Sequence, residues 1–191
     1  MRRRLQQNIN TPEHFDQEWL DERMHRWDSG RMRALFKYVK NGDKVLDVGC
    51  GLFGSCEFIA LKTTLKCELH CIDFSRVARD IVVGRCPSIQ FKVGRIEKMD
   101  YPDDSFDCVF CGEVIEHMED PAGLVKELIR VCKPGGWISL STVDTNCENA
   151  KKLQYPEHIW EYTPEDLLGF FGEGATYELL PDYHFIYYQK P

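Results

Sequence analysis

The sequence predicts an α/β fold, a Rossmann-like seven-stranded, mostly parallel sheet with an antiparallel last strand and helices on both faces. Short apolar segments alternate with helical segments between residues 44 and 142, which is the pattern of a parallel sheet covered on both faces. Segments 175–181 and 183–189 are rich in β-forming residues and are separated by one aspartate. That spacing predicts a closing antiparallel hairpin.

The elements follow in a regular order. Residues 1–40 predict a helical cap, with one helix from Pro12 to about residue 27 and a second over about 29–40. The core, residues 41–142, and the tail, residues 143–191, complete one domain over 1–191. Strands are predicted over 44–48, 67–73, 89–93, 106–112 and 136–142, and helices over about 54–63, 75–84, 119–132 and 164–171.

Composition excludes several classes of protein. Apolar residues at 43% and charged residues at 29% are typical of a globular domain. No apolar run approaches the roughly 18 residues of a membrane span, and the basic N-terminus lacks the apolar segment of a secretory signal. Nine cysteines without such a signal predict a reduced, cytoplasmic protein whose thiols pack in the core.

Charge and cysteine spacing exclude two further kinds of site. The net charge is −7, and it is concentrated outside the basic residues 1–40, which argues against wide contact with a nucleic-acid backbone. The Cys108-x-x-Cys111 pair lies in a predicted strand. Its two side chains therefore point to opposite faces of the sheet and cannot bind one metal ion together.

The segment KVLDVGCGLFG, residues 44–54, ends a predicted strand in an acid and three glycines. Its G-x-G-x-x-G spacing is shared with the dinucleotide-binding turn of dehydrogenases, and ligands of such sheets lie beyond the carboxyl ends of the strands. Asp47, two residues before Gly49, would repel a pyrophosphate and attract ammonium and sulfonium groups. The turn therefore favours S-adenosylmethionine (SAM) over NAD.

Asp73 lies at the end of the second predicted strand, 24 residues after Gly49. An acid in this position can accept hydrogen bonds from ribose hydroxyls in both SAM and NAD sites, so it does not discriminate between them. The structural alternative is that Asp73 or Ser75 caps the next helix.

Four motifs between Lys44 and Thr142 resemble, in order, those of class I SAM-dependent methyltransferases of the methyltransferase-11 type. They are VLDVGCGLFG, CIDFS, GRIEKMDYPDDSFDCVFCGEVIEHMEDP and LIRVCKPGGWISLST. The resemblance implies methyl transfer from SAM. No residues remain for a separate target-recognition domain, which favours a small-molecule acceptor, with O, N and C all open as the methylated atom. A SAM-binding partner protein without catalysis is the alternative of another class.

The resemblance also carries cofactor contacts onto matching positions. Asp47 and the glycine turn would line the methionine end, Asp73 would bind the ribose, and Arg31 resembles an arginine that some members direct at the SAM carboxylate. Arg95 stands where many members have an adenine-facing aspartate. The implied cofactor-binding residues are Arg31, Asp47, Gly49, Cys50, Gly51, Asp73, Phe74, Arg95, Ile96, Glu97 and Gly112.

The reactive residues are expected in the sequence Glu113-Val-Ile-Glu116-His117, where a helical turn would place both acids and the histidine on one face. His117, with Glu116, is the predicted catalytic pair because imidazole titrates near neutral pH. The structural alternative is that both glutamates orient the turn and the cofactor, while His117 lines the mouth of the site.

The same residues can be interpreted as metal ligands. EVIEHME resembles the motif of metal-dependent RNA 3′-terminal 2′-O-methyltransferases, which add a later histidine, and His158 is suitably placed. Glu113, Glu116, His117 and His158 could bind Mg²⁺ or Mn²⁺. The acidic body and the lack of an RNA-binding extension favour the interpretation without a metal.

Aromatic residues are expected to cover the acceptor, although ordinary packing is the alternative for most of them. They lie in the predicted N-terminal helices and in segment 143–163. Their number suits a planar or sugar-like acceptor. The residues are His14, Phe15, Trp19, Trp27, Tyr155, Trp160 and Tyr162.

Overall fold

The computed structural model describes residues 1–3, 8–20, 29–52, 54–147 and 157–191. In chain order the strands are β1 (Arg2–Arg3), β2 (Lys44–Val48), β3 (Glu68–Asp73), β4 (Gln90–Val93), β5 (Phe106–Gly112), β6 (Cys132–Val143), β7 (Trp160–Glu161), β8 (Thr176–Leu180) and β9 (Tyr183–Gln189). The helices are α1 (Pro12–Trp19), α2 (Ser29–Leu35), α3 (Ser55–Lys62), α4 (Arg76–Arg85), α5 (Pro121–Val131) and α6 (Pro164–Phe171), with a 3₁₀ turn at Ile115–His117.

Seven strands form the main sheet in the order β4-β3-β2-β5-β6-β9-β8. The first five of these pair in parallel, and β9 runs antiparallel to both β6 and β8. The predicted mostly parallel sheet with a reversed last strand is confirmed. The chain order reverses between β2 and β5, so the crevice for a ligand opens beyond their carboxyl ends.

The two faces of the sheet carry separate apolar cores. Helices α2, α3 and α4 supply one core, which includes Cys108, and helices α5 and α6 supply the other, which includes Cys111. The prediction of helices on both faces is confirmed. The two thiols of the Cys-x-x-Cys sequence lie on opposite faces, as the strand geometry requires.

Three features differ from the prediction. Helix α2 ends at Leu35 rather than near residue 40, and in the turn that follows it the Tyr38 ring stacks on Trp137 with ring centroids 3.7 Å apart. Strand β6 begins at Cys132, before the Pro-Gly-Gly sequence, with a register irregularity in its pairing to β5. The small antiparallel sheet of β1 and β7 was not predicted, because its strands have two residues each.

The N-terminal strand carries a specific electrostatic role. Arg2 forms an ion pair with Glu161 at 2.6 Å, and Arg3 pairs with Glu119 at 2.9 Å. These basic residues therefore meet acids of the same chain. Within the described ranges, no helix is long and apolar enough to cross a bilayer.

Two predicted features fall on residues that the structure does not describe. The continuation of the first helix over residues 21–27, which includes Trp27, lies outside the described residues. Tyr155 of the expected aromatic cover lies outside them as well.

Candidate active site

The glycine turn between β2 and α3 needs glycine at two positions. Gly49 and Gly51 have φ values of 65° and 48°, in the left-handed region that other residues adopt at a cost. A Cβ atom at Gly49 would lie 2.5 Å from a methyl carbon of Val114, and one at Gly51 would lie 2.8 Å from the Trp19 ring. Side chains are therefore excluded by backbone conformation and by contacts together.

Asp47 directs its carboxylate at the first turn of α3. Its Oδ2 atom accepts a hydrogen bond from the backbone N–H of Cys56 at 3.1 Å, while Gly54 at the N-cap has no side chain to offer. A helix N-terminus is where a dinucleotide fold binds pyrophosphate. Here a carboxylate of the protein occupies that position, which disfavours a phosphate ligand.

Burial controls the charge of Asp47. Its side chain is almost inaccessible, and burial raises its pKa to about 7, against the lowering effect of the Cys56 and Ser55 N–H groups and of Arg31. A cation that approached this carboxylate would favour the ionised form. The environment of Asp47 therefore matches a positively charged ligand.

Asp73 ties the ends of β2 and β3 together. Its Oδ2 atom accepts from the N–H of Gly51 at 3.0 Å, and its Oδ1 atom accepts from the N–H of Ser75 at 2.9 Å. Burial raises the pKa of Asp73. Ser75, rather than Asp73, caps α4 by accepting from the N–H of Ala78. Ser75 therefore has the capping role, and Asp73 holds the glycine turn through the N–H of Gly51.

Helix α1 covers both halves of the crevice. Phe15 stacks on Trp19 and meets the edges of Phe74 and His117, with ring centroids 5.6 and 5.7 Å away for the last two. Asp16 anchors the helix by hydrogen bonding to the Ser75 hydroxyl. Phe15 and Trp19 of α1 therefore lie against both His117 and the glycine turn, and their covering of an acceptor stays a prediction.

The loop after β4 separates the three residues expected near adenine. Arg95 and Glu97 form an ion pair with each other at 2.6 Å, and the Arg95 side chain is 79% exposed. Ile96 is buried and belongs to an apolar core.

The Cys50 thiol at the glycine turn is buried. Burial raises its pKa to about 12 and keeps it protonated.

At the carboxyl end of β5, Glu113 is held by its own partners. It has a φ of 58°, accepts a hydrogen bond from the Ser141 hydroxyl at 2.9 Å and lies 4.0 Å from Arg31. Burial raises its pKa, while Arg31 and Ser141 oppose that shift. A Cβ atom at Gly112 would lie 3.1 Å from Leu35 of α2. Helix α2 thus approaches this strand end through Arg31 at Glu113 and Leu35 at Gly112.

Glu116, His117 and His158 form a second group beside it. One potential ligand atom from each residue lies within 4.8 Å of the other two, and the rings of the two histidines have centroids 4.9 Å apart. Glu116 is 1% exposed, and among the described residues neither of its carboxylate oxygens makes a hydrogen bond of normal geometry. Glu113 is absent from this group, so the structure brings together three of the four expected metal ligands.

Both predicted catalytic residues have altered acidity. Burial, helped by the adjacent Glu113 carboxylate, raises the pKa of Glu116 well above its usual range, although the Thr142 side chain acts in the opposite direction. Burial lowers the pKa of His117 to about 4 against the effect of the Glu157 carbonyl. At neutral pH, His117 is therefore uncharged, and the raised pKa of Glu116 favours its protonated form.

Segment 157–162 fixes the 3₁₀ turn in place. The N–H of Ile159 donates to the Glu116 carbonyl at 2.8 Å, the Trp160 indole donates to the Met118 carbonyl, and the Tyr162 hydroxyl donates to the Ile115 carbonyl. The polar atoms of these two aromatic residues thus hold the 3₁₀ turn in place, and their part in an acceptor pocket stays a prediction.

Sequence reasoning missed two supporting residues. The Asn10 side-chain amide donates to the backbone carbonyls of His117 and Glu157 at 3.1 and 3.0 Å, and Ser141 holds Glu113. Asn10 lies more than a hundred residues from its partners, so no local pattern could reveal it. Ser141 follows β-strand alternation, and its inward position at a strand end was the available signal.

Known proteins resemble this chain across its core. The family model described as a methyltransferase domain matches residues 46–140. Ubiquinone biosynthesis O-methyltransferase of Paracidovorax citrulli is 34% identical over 110 residues, which cover 56% of this chain and 46% of that protein. Phosphoethanolamine N-methyltransferase 1 of Arabidopsis thaliana is 32% identical over 128 residues, which cover 63% of this chain and 25% of that protein. The chain thus spans half or less of the length of these relatives.

A solved structure matches most of the chain. Phosphoethanolamine N-methyltransferase 2 of Haemonchus contortus, in complex with S-adenosyl-L-methionine, gives a TM-score of 0.70 at 16% identity, covering 95% of this chain and 57% of that one. At this identity the likeness shows the fold.

Proposed function

This chain belongs to the family of methyltransferase domains, and on that premise we propose that it binds SAM and methylates a small-molecule acceptor. The observation that carries the proposal is the Asp47 carboxylate at the N-terminus of α3. It fills the position of a pyrophosphate and offers a negative charge to a ligand that has a sulfonium and an ammonium group.

The residues around the glycine turn suit SAM. The Gly51 backbone becomes accessible to a ligand once the Trp19 ring moves from it. Each Asp73 oxygen already accepts one backbone N–H and has a further lone pair for a ribose hydroxyl. Arg31, near three buried carboxylates, could bind the SAM carboxylate. When bound, SAM supplies an electrophilic methyl group.

His117 is the residue best suited to orient an acceptor. Its Nδ1 atom lies 3.1 Å from the Glu157 carbonyl oxygen, and since a carbonyl can only accept, Nδ1 carries the proton. Nε2 is then the nitrogen with a lone pair, which can accept a hydrogen bond or a proton from an acceptor hydroxyl or amine. Its lowered pKa keeps that lone pair available across the neutral range.

The acceptor class stays at the level of a small molecule, with O, N and C open. One relative is named for O-methylation and another for N-methylation, so both chemistries occur on similar chains. Methylation of RNA 3′ ends and SAM binding without catalysis stay as alternative functions. The cytoplasmic location stays a prediction.

The test is to incubate the purified chain with isotopically labelled SAM and metabolite pools, then identify the labelled product by mass spectrometry. The proposal predicts a labelled small molecule that is lost in the Asp73→Asn variant and retained in Glu178→Gln, whose side chain pairs with Lys37 at the edge of the sheet. SAM binding without any labelled product would support the non-catalytic alternative. Label in RNA 3′ ends would support the RNA alternative.

A further inference from the structure

We propose that the carboxylate of Glu116 selects the acceptor, and that the methylated atom is the nitrogen of a cationic amine. This inference rests on the proposed methyl transfer and narrows its acceptor from any small molecule to one chemical class. Glu116 lies in the 3₁₀ turn after β5, next to His117, and the Phe15 ring of α1 lies against that histidine. The turn is therefore placed where an acceptor would enter beneath α1.

The Glu116 carboxylate is buried without a hydrogen-bond partner. Within the described part of the chain, neither of its oxygens makes a hydrogen bond of normal geometry, although the Thr142 side chain is near enough to lower its pKa. Buried polar groups are normally hydrogen-bonded, and buried charges are normally paired. The exception at Glu116 indicates a ligand that brings positive charge and hydrogen-bond donors together.

The number of donors distinguishes an amine from the other possible acceptors. A primary ammonium group has three N–H donors and a positive charge, so it can bond to both oxygens of Glu116 and compensate the negative charge. A hydroxyl group has one donor and no charge, so one buried oxygen would stay unpaired. A carbon acceptor has no donor at all. Only the amine satisfies the whole carboxylate.

The polar atoms around Glu116 are spaced for one nitrogen atom. A carboxylate oxygen of Glu116 and one ring nitrogen from each of His117 and His158 lie within 4.8 Å of one another. Acceptors about 2.8 Å from a tetrahedral ammonium are roughly 4.6 Å apart. The amine must lose one N–H proton before its nitrogen can be methylated, and the neighbouring Glu116 and His117 side chains can both accept a proton.

The other carboxylates of the site already have partners. Asp47 caps α3 beside the glycine turn. Glu113 accepts a hydrogen bond from Ser141 and lies 4.0 Å from Arg31, which also acts on Glu116 through space. Asp47 is therefore the anion for the cofactor, and Glu116 is the anion that is left for the acceptor.

The test identifies the atom that receives the methyl group. The full chain is incubated with isotopically labelled SAM and metabolite pools, and the label in each product is located by fragmentation mass spectrometry. We expect the label on the nitrogen of an amine. Label on oxygen, sulfur or carbon would overturn this inference and leave the proposed methyl transfer standing. Absence of any labelled product would overturn both.

The Glu116→Gln variant tests the role of the carboxylate with the amine so identified. Because a hydrogen bond to a charged group is lost, KM for the amine should rise about 10–100-fold, while the calorimetric affinity for SAM stays unchanged. The matched control is Glu119→Gln, since Glu119 lies three residues further along in an exposed ion pair with Arg3, and its KM should equal that of the unmodified chain. Equal KM values in the two variants, or weaker SAM binding by Glu116→Gln, would overturn the inference.

A measurement without SAM or amine checks that Glu116 has no structural partner. In thermal melting of the unliganded chain, Glu116→Gln should melt at the same or a higher temperature, because the substitution breaks no internal hydrogen bond. A lower melting temperature would show a structural role and overturn the inference. A chelator should leave the methylation of the amine unchanged, and its loss would mean that Glu116 binds a metal ion instead.

Discussion

Asp47 shows how one residue can select between SAM and NAD, two ligands that bind to the same kind of fold. Its place before the glycine turn was visible in the sequence, and its negative charge predicted that the site prefers a cationic ligand. The structure adds that the carboxylate caps α3, so the group that repels phosphate also replaces it. The degree of its burial depends on residues far along the chain and could not be read from the local sequence.

The raised pKa of Asp47 predicts a pH dependence of stability. Because the pKa rises from 3.8 to about 7 on folding, the folded chain binds more protons than the unfolded chain between these values. The free energy of unfolding should therefore decrease as the pH rises from about 4 to 7. Denaturant unfolding across this range, compared with Asp47→Asn, measures the contribution of this residue.

The Asp47→Asn variant keeps an oxygen acceptor for the N–H of Cys56 but does not titrate. The decrease in stability across this pH range should be smaller in the variant than in the unmodified chain. Identical pH profiles of the two proteins would mean that Asp47 is ionised in the folded state.

The proposed ribose contact of Asp73 predicts that its substitution weakens the binding of SAM. Asp73→Asn removes the charge that would accept the ribose hydroxyls, and hydrogen bonds to charged groups contribute about 1.5–3 kcal/mol. Binding of both SAM and S-adenosylhomocysteine should weaken about 10–100-fold in calorimetric titrations.

The control for this prediction is Ser75→Ala, which removes the cap of α4. It should cost about 1 kcal/mol of stability without a comparable loss of affinity. If the two variants bound SAM equally well, Asp73 would have only its structural role in holding Gly51.

At the scale of elements, helix α1 is the least predictable part of the site. Its N-cap and start were readable from the Thr-Pro pair, and the structure confirms a Thr11 cap. Its docking was not readable, because Asp16 and Trp19 meet partners more than thirty residues away. The same limit applies to β1 and β7, whose pairing no periodicity can reveal.

The position of Trp19 predicts that α1 controls access to the glycine turn. The ring leaves no space for a ligand at Gly51, so binding requires the ring to move. The apparent affinity for SAM is then the intrinsic affinity multiplied by the fraction of molecules in which the ring has moved. Trp19→Ala should therefore bind SAM faster and more tightly, as measured by stopped-flow and calorimetry.

Trp160→Phe serves as the comparison, because that indole bonds to the Met118 carbonyl away from the turn. Its association rate for SAM should equal that of the unmodified chain. Slower binding by Trp19→Ala would mean that the ring packs on the bound ligand instead of excluding it.

At the scale of the whole molecule, the architecture was predictable because its signals are local and repeated. Each buried strand is a short apolar run, each helix follows a turn, and the rule that ligands bind at the carboxyl ends of strands predicted where the candidate site lies. The unpaired state of Glu116 was not predictable. It depends on how the segments around Glu116 and His158 meet, and only the assembled fold determines that.

Calorimetric titration of the full chain with SAM and S-adenosylhomocysteine is the decisive test of ligand selection by Asp47. We expect saturable binding of one molecule of either ligand, and no binding of NAD, because Asp47 occupies the phosphate position at α3. A folded chain that bound neither SAM nor S-adenosylhomocysteine at millimolar concentration, or that bound NAD in their place, would contradict it.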